Sequence, residues 1–206
     1  VHDQRMLPNL LPADLLWVSL RREASAGDIL LLRDQEGALV LRRLIAREGQ
    51  RVARRAGEWS VDGQPLFLKQ LGELDPNTLS SSEQVTRRLP VLQPLRLEHV
   101  SAQRGYQSLG LSPLQRRDNS EWEAAVPAKR LFVLCDNRPH CEGERWQLPV
   151  PLSLPKASPE EREEESALPS ADQWAPSWSV VGVVIARLWP VSAPRGGALT
   201  RDRLED

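Results

Sequence analysis

Apolar residues along this chain occur in short runs that alternate with turns rich in Gly, Asp and Pro. The runs at 29–32, 131–134 and 180–186 have the length of strands and consist largely of Leu, Val, Ile and Phe. Short apolar runs between turn residues are typical of buried strands. Gly27-Asp28 precedes the first of these runs, and Asp62-Gly63 suits the type I′ turn of a hairpin. The pattern therefore predicts a mainly β fold.

The composition narrows the classes of function without selecting one. The 206 residues are 40% hydrophobic and 27% charged, as in a globular protein, and the formal net charge of −1 gives no electrostatic reason to expect nucleic acid as a partner. No run approaches the roughly 20 apolar residues that span a bilayer. Because the chain begins at Val1 rather than Met, we expect a fragment of a longer protein. Its two cysteines are too few to define a redox compartment.

Two segments lack the composition of a folded strand. Residues 151–176 are rich in Pro and Ser and contain the acidic run at 159–166, which offers little apolar surface to bury. We predict a solvated, disordered loop there, and the alternative is an acidic docking segment for a basic partner. Residues 191–206 are polar and contain Gly, so we predict a flexible tail.

Five segments carry motifs that follow one another in a recognisable order. They are MLPNLLPAD at 6–14, GDILL at 27–31, LRRLIAREGQRV at 41–52, LFVLCDNR at 131–138 and SVVGVVIARLWP at 179–190. In this order they resemble the conserved boxes of the type I signal peptidases. The resemblance implies a mainly β fold, with a signal-peptidase-like antiparallel β-sheet core formed by residues 1–52 and 126–190 and an inserted β region at 53–125. Within the inserted region, Pro90 and Pro94 indicate edge strands.

Type I signal peptidases are Ser–Lys hydrolases, and the resemblance assigns both catalytic positions to arginine here. Arg5 stands directly before Met6, where the family has its nucleophilic Ser, and Arg42 stands where the family has the Lys that acts as general base. A guanidinium has five donors, no acceptor and a pKa above ~12, so it can neither attack a carbonyl nor accept a proton. Asp3 stands near the position of the Ser that stabilises the oxyanion, and a carboxylate there would repel the oxyanion.

The supporting positions of the last box have also changed. The resemblance assigns Cys141 to the Ser that orients the Lys and Gly143 to a bracing Asp, whereas Arg145 is retained. We therefore expect no functional catalytic residue, and we expect no cofactor.

Other uses of the cysteines stay open. A Cys–His arrangement would combine His2, Cys141 and Asp136. A metal site would use Cys135, His140 and Cys141, but their spacing is not that of a regular zinc site, and we predict no metal. A Cys135–Cys141 disulfide is a further alternative, and two small half-buried side chains are the simplest interpretation.

Two arginines in one cleft need carboxylates as partners. The candidates are Asp3, Asp14 and Asp136. One hypothesis is that Arg5 and Arg42 form a pocket that binds a carboxylate or the C-terminus of a peptide. The other hypothesis is that selection on the cleft has lapsed.

We predict a signal peptidase I-like protein that has lost peptidase activity and binds pre-proteins or other extended peptides, or acts as an assembly factor at the membrane. The predicted binding residues are Met6, Leu7, Pro8, Leu41, Arg42 and Asp136. An anchor upstream of Val1 would hold the domain on the extracytoplasmic face of a bacterial membrane. The alternative is an active signal peptidase with a rewired site. A third interpretation is the related Ser–Lys self-cleaving repressor fold, against which the box at 131–138 and the lack of a DNA-binding module argue.

Overall fold

The computed structural model describes residues 4–34, 37–75, 79, 92–110, 121–140 and 174–188. In chain order the strands are β1 (Leu15–Ser19), β2 (Ile29–Arg33), β3 (Leu39–Arg47), β4 (Arg51–Arg55), β5 (Glu58–Val61), β6 (Gln64–Pro65), β7 (Phe67–Leu74), β8 (Gln93–Ser101), β9 (Arg104–Leu109), β10 (Trp122–Ala125), β11 (Arg130–Leu134), β12 (Trp174–Pro176) and β13 (Val180–Leu188). The predicted mainly β fold is confirmed. Within the described ranges, no helix is long and apolar enough to cross a membrane.

The strands assemble into three antiparallel sheets. The largest sheet has six strands in the order β1-β13-β2-β3-β11-β12, so residues from both ends of the described chain form it. A four-stranded sheet has the order β10-β4-β5-β6, and a three-stranded sheet has the order β7-β8-β9. Every strand of the two smaller sheets lies between Arg51 and Ala125.

One hydrophobic core joins the three sheets. Phe132 and Trp174 from the six-stranded sheet pack with Val52 and Trp59 from the four-stranded sheet and with Tyr106 from the three-stranded sheet. The ring centroid of Phe132 lies 5.1 Å from that of Trp59 and 5.1 Å from that of Trp174. Since aromatic side chains bury large apolar areas, this cluster fixes the smaller sheets against the larger one.

The six-stranded sheet buries side chains on both of its faces. Successive residues of β3 point to opposite faces, as in any strand. On one face, Leu44 packs with Leu30 and Val183. On the other face, Leu41 packs with Met6 from the turn that precedes β1.

Several turns use backbone conformations that favour glycine. Asp62 and Gly63 have φ angles of 49° and 77°, so the type I′ turn predicted from their sequence is confirmed. Gly27 has a φ of 91°, and a Cβ on it would lie 2.9 Å from Val100 Cγ2, so a larger residue would clash there. Ala13 also lies in the left-handed region, with a φ of 71°.

The prediction of a disordered loop at 151–176 is wrong at its C-terminal end. Residues Trp174–Pro176 form a buried strand that pairs with β11. The physical reason is that Trp174 covers Phe132 and completes the shared core. The rest of that segment, 151–173, and the predicted tail at 191–206 lie outside the described residues.

Pro94 does not mark an edge strand, because β8 is the central strand of its sheet. Pro94 is the second residue of β8, and the pairing of β8 with β9 begins one residue later, at Leu95. A missing N–H costs little near a strand end, and the Pro94 carbonyl still accepts a hydrogen bond from the Gly110 N–H at 2.8 Å. Pro90 lies outside the described residues.

Candidate functional site

The turn that follows β11 contains a buried ion pair. Asp136 is fully buried, and Arg43 donates to its carboxylate at 2.7 Å from Nε and 2.5 Å from Nη2. Asn9 Nδ2 donates to the same carboxylate at 2.7 Å and to the Gln107 carbonyl at 2.6 Å. A bidentate arginine–carboxylate pair is among the stronger hydrogen-bonded interactions in proteins. It fixes β3 to the turn after β11, and Asn9 attaches the first turn of the chain to Asp136 and to β9.

Arg43 has further partners beside Asp136. Its Nη1 donates to the Gly27 carbonyl at 2.6 Å, and its guanidinium carbon lies 4.3 Å from the centre of the Tyr106 ring. Burial alone would lower the pKa of Arg43, but the carboxylate of Asp136 outweighs burial, and the pKa is raised. Arg43 is therefore charged at every pH at which the protein is folded.

A second buried ion pair lies beside the first. Arg138 Nη2 donates to Glu98 Oε2, and Arg138 Nη1 donates to the Cys135 carbonyl at 2.7 Å. The hydroxyls of Tyr106 and Ser108 each donate to Glu98 at 2.7 Å. These contacts bind the turn after β11 to strands β8 and β9 of the three-stranded sheet.

The charges in this second pair shift one another's pKa. Burial would raise the pKa of Glu98, but Arg138 and the two hydroxyl donors outweigh burial, and the pKa is lowered. Burial and the Glu98 charge raise the pKa of Tyr106 well above its ordinary range, so its hydroxyl stays protonated. Burial would lower the pKa of Arg138, but the charge of Glu98 raises it. We call the four charged residues Arg43, Asp136, Arg138 and Glu98 the brace.

The residue between the two halves of the brace holds the segment before Met6. The Asn137 N–H donates to the Arg5 carbonyl at 2.8 Å, and the side-chain amide of Asn137 donates to the Gln4 carbonyl at 3.1 Å. The main chain at the position that resembles the nucleophile is thus fixed by the last box of the sequence.

Two of the three carboxylates expected to neutralise Arg5 and Arg42 contact other arginines, and the third, Asp3, lies outside the described residues. Asp136 accepts from Arg43, so the hypothesis that it pairs with Arg5 or Arg42 is wrong. The reason is the alternation along β3, which directs the side chain after Arg42 to the face on which Asp136 lies. Asp14 pairs with Arg187 of β13, at 2.7 Å from Nε to Oδ2.

Arg42 emerges from the opposite face of β3. It lies opposite Leu30 in the register with β2, is 5% exposed, and donates from Nη1 to the Leu41 carbonyl at 2.7 Å. Arg5 is half-buried. Neither guanidinium has a lone pair to attack with or to accept a proton, so these two side chains can bind carbonyls and anions but cannot replace a Ser–Lys pair.

Five of the six predicted binding residues are buried, namely the apolar Met6, Leu7 and Leu41 together with Arg42 and Asp136. Met6 and Leu7 are 0% exposed and Leu41 is 6% exposed, and Met6 and Leu41 lie in one apolar cluster. Pro8 is half-buried. The structure therefore brings Met6 and Leu41 together in the interior, whereas Leu39, at the start of β3, is 55% exposed.

The cysteine alternatives can be followed only at Cys135. Cys135 is disulfide-bonded, so in this state it is neither a nucleophilic thiol nor a thiolate ligand for a metal. Within the described part of the chain, no group of three or more His, Cys, Asp or Glu residues could hold a metal ion. Other predicted site residues lie outside the described residues, namely His2, Asp3, Cys141, Gly143, Arg145 and the side chain of His140.

Sequence reasoning missed the part of the brace that comes from the inserted region. In β8, Arg96 and Glu98 alternate with apolar residues, a pattern that indicates a solvent-facing side. Both are buried instead, because Arg96 pairs with Glu58 at 2.7 Å and 2.8 Å and Glu98 pairs with Arg138. The burial of this polar face of β8 could be recognised only from the residues that pack against it, Glu58 and Arg138.

A comparison with known families agrees with the motifs. Residues 1–153 match the family described as signal peptidase, peptidase S26. The matched segment is 153 of the 206 residues and contains four of the five motif segments. No curated protein matches the chain significantly. The chain belongs to the signal peptidase family, peptidase S26.

Proposed function

We propose that this member of the signal peptidase family binds extended peptide segments, such as those of pre-proteins, without cleaving them. The proposed site of action is the extracytoplasmic face of a bacterial membrane, where signal peptides are processed. One observation carries the proposal. Arg42, which the resemblance assigns to the position of the general base, is buried and donates to the Leu41 carbonyl.

Loss of catalysis follows from the chemistry of the substituted groups. Hydrolysis in this family needs a hydroxyl that attacks and an amine that accepts its proton. Arg5 and Arg42 supply neither, because a guanidinium carries only donors and stays charged. Removing nucleophile and base together would leave at most the weak catalysis that peptide positioning provides.

Peptide binding is supported by what lies around Arg42. Arg42 follows Leu41, whose side chain packs on Met6, and the exposed Leu39 lies two residues further toward the start of β3. A peptide laid along β3 would gain main-chain hydrogen bonds and apolar contact with the start of the strand. Met6 and Leu7, being fully buried, would support such a peptide from beneath rather than touch it.

The test combines a cleavage assay with a binding assay on the purified protein in detergent. A fluorogenic signal-peptide substrate is offered to the native chain and to the double variant Arg5→Ser with Arg42→Lys. We expect no turnover by the native chain and saturable binding of the same peptide, measured by fluorescence anisotropy. Turnover gained by the double variant would show that the cleft still aligns a peptide with these two positions.

Turnover by the native chain would overturn the proposal and favour an active peptidase with a rewired site. The nucleophile would then be sought by covalent labelling and mass spectrometry. Absence of both turnover and peptide binding would also overturn the proposal, leaving a role in assembly that does not involve the cleft.

A further inference from the structure

The main-chain groups of β3 divide between two sides of the strand. The Leu44 N–H donates to the Asp28 carbonyl at 2.9 Å, and the Asp34 N–H donates to the Ala38 carbonyl at 2.9 Å. In an antiparallel pair, alternate residues direct their N–H and C=O groups to the same neighbour. The even-numbered residues of β3 therefore bond to β2, and the odd-numbered ones direct their main-chain groups to the other side.

On that other side, the neighbouring strand covers only half of β3. The pairing of β11 with β3 runs from Arg43 to Arg47, whereas the pairing with β2 runs from Leu39 to Arg43. Within the described residues, no strand pairs with Leu39 and Leu41 on the side away from β2. We call the main-chain groups of Leu39 and Leu41 on this side the open edge.

Arg42 occupies an acceptor of the open edge. Leu41 is odd-numbered, so its carbonyl points away from β2, and Arg42 Nη1 donates to this carbonyl at 2.7 Å. A peptide strand added to the open edge would donate its own N–H to that carbonyl. The guanidinium thus stands where the N–H of an added strand would stand. Leu39 is 55% exposed, whereas Leu41 and Arg42 are 6% and 5% exposed.

We propose that Arg42 is a plug for the open edge, which an extended peptide must displace before it can pair with β3. The inference rests on the proposed function and adds a regulatory element to it. Arg42 lowers the affinity for peptides generally and favours those whose main chain or acidic side chains can give its guanidinium a new acceptor. A released guanidinium next to an acidic side chain can donate to a carboxylate, and a hydrogen bond between two opposite charges is stronger than the bond to a neutral carbonyl.

The first experiment measures binding of an extended, apolar signal-peptide segment with an amidated C-terminus to the native chain and to Arg42→Met. Methionine keeps much of the aliphatic length and removes the donor. We expect binding to become tighter by about fivefold, the effect of one competing hydrogen bond. The matched control is Arg55→Met, which makes the same change of charge at an exposed arginine of β4 and should leave the affinity unchanged.

A second experiment tests the competition itself. The peptide is N-methylated at one position at a time, which removes one main-chain donor at each step. In Arg42→Met, one position should show a loss of about tenfold or more, because its N–H binds the Leu41 carbonyl. In the native chain, the same N-methyl group should cost less, since that carbonyl already has a donor. Equal losses in the two proteins at every position would overturn the plug.

The outcomes separate the two proposals. If neither protein binds the peptide, the proposed function fails. If both bind it and Arg42→Met binds equally or more weakly, only the plug fails. Weaker binding confined to peptides with a free C-terminal carboxylate would favour the arginine pocket for a peptide C-terminus instead.

If Arg42→Met does not fold, the native chain still decides the matter. The guanidinium signals of Arg42 in ¹⁵N NMR, assigned by comparison with Arg42→Lys, are followed during a peptide titration. The plug requires these signals to change at saturation as the bond to Leu41 is broken. Unchanged signals with a bound peptide would overturn it.

Discussion

The brace and the plug start from adjacent residues of β3, Arg43 and Arg42, whose guanidiniums make different contacts. Arg43 forms a bidentate bond with the buried carboxylate of Asp136, and the pKa of Arg43 is raised by that charge. Arg42, one residue earlier and on the opposite face, donates to the neutral carbonyl of Leu41. The contact of Arg43 connects distant parts of the chain, and the contact of Arg42 binds a carbonyl of its own strand.

The comparison distinguishes charged residues that maintain the fold from those at the proposed binding site. Each charge of the brace is paired with a group far away in sequence, so its loss leaves a buried charge uncompensated. The bond from Arg42 to the Leu41 carbonyl joins neighbours in the sequence, so this bond by itself holds no distant segments together. The proposed loss of nucleophile and base is compatible with an intact architecture, because the side chains of Arg5 and Arg42 are not part of the brace.

The largest effect is expected when the brace is cut. Asp136→Ala removes the carboxylate and leaves Arg43 buried without its counter-charge, so the free energy of unfolding should fall by about 3–5 kcal/mol. Urea unfolding followed by tryptophan fluorescence measures this. The control is Glu123→Ala, which breaks exposed pairs with Arg51 and Arg55 and should produce no measurable change.

A second pair of variants sharpens the same comparison. Arg43→Met combined with Asp136→Leu removes both charges and should cost less than Asp136→Ala alone, because no unpaired charge remains. If the double variant is the less stable of the two, the brace contributes through packing rather than through charge pairing.

An intermediate effect is expected from pH, through Glu98. Its folded pKa is lowered by Arg138 and the hydroxyls, whereas the unfolded pKa is about 4.3. The folded state then binds fewer protons, so this stabilisation is complete above the unfolded pKa and is lost as the pH falls through the folded pKa. Glu98→Gln should destabilise the protein at neutral pH, and the difference from the native chain should shrink below about pH 4.

Comparison with the variant is needed because other carboxylates titrate as well. Asp62 and Glu123 also have lowered pKa values, through a main-chain donor from Arg51 and through the Arg51 side chain respectively. Only the difference between the two unfolding curves isolates Glu98. A difference that is the same at about pH 7 and about pH 3 would show that Glu98 acts through shape rather than charge.

Much of the fold could be predicted from the sequence, because local signals determine it. Apolar runs predicted β11 and β13, and Asp62-Gly63 predicted a hairpin turn. Strand β12 was missed because only three residues form it, after a Pro-rich and acidic segment, and Trp174 is held by contact with Phe132 rather than by local pattern.

The candidate site was predictable only in part. The order of the motifs singled out Arg5, Arg42 and Asp136 by resemblance, but a motif does not say which charge pairs with which. The alternation along β3 decides that Arg43 rather than Arg42 meets Asp136, and it becomes informative only when the register with β2 and β11 is known. The role of Glu98 required the packing of a separate sheet.

The smallest effect is expected in the turn before β1, at Ala13. Ala13 has a φ of 71°, in the left-handed region that favours glycine. A residue with a Cβ in this conformation destabilises the folded state by about 1–2 kcal/mol. Glycine removes this strain, but its unfolded chain is more flexible, which offsets part of the gain. Ala13→Gly should therefore raise the free energy of unfolding by about 0.5 to 1 kcal/mol. The converse control is Gly27→Ala, in the similar turn before Asp28, which should destabilise because its Cβ would lie 2.9 Å from Val100 Cγ2. If Ala13→Gly raises the free energy of unfolding and Gly27→Ala lowers it, position 13 does not carry its most stable residue, whereas the turn next to the brace does. Destabilisation by both changes would mean that Ala13 is fitted to its site, and the contrast between the brace and the catalytic side of the fold would then be weaker than the ion pairs suggest.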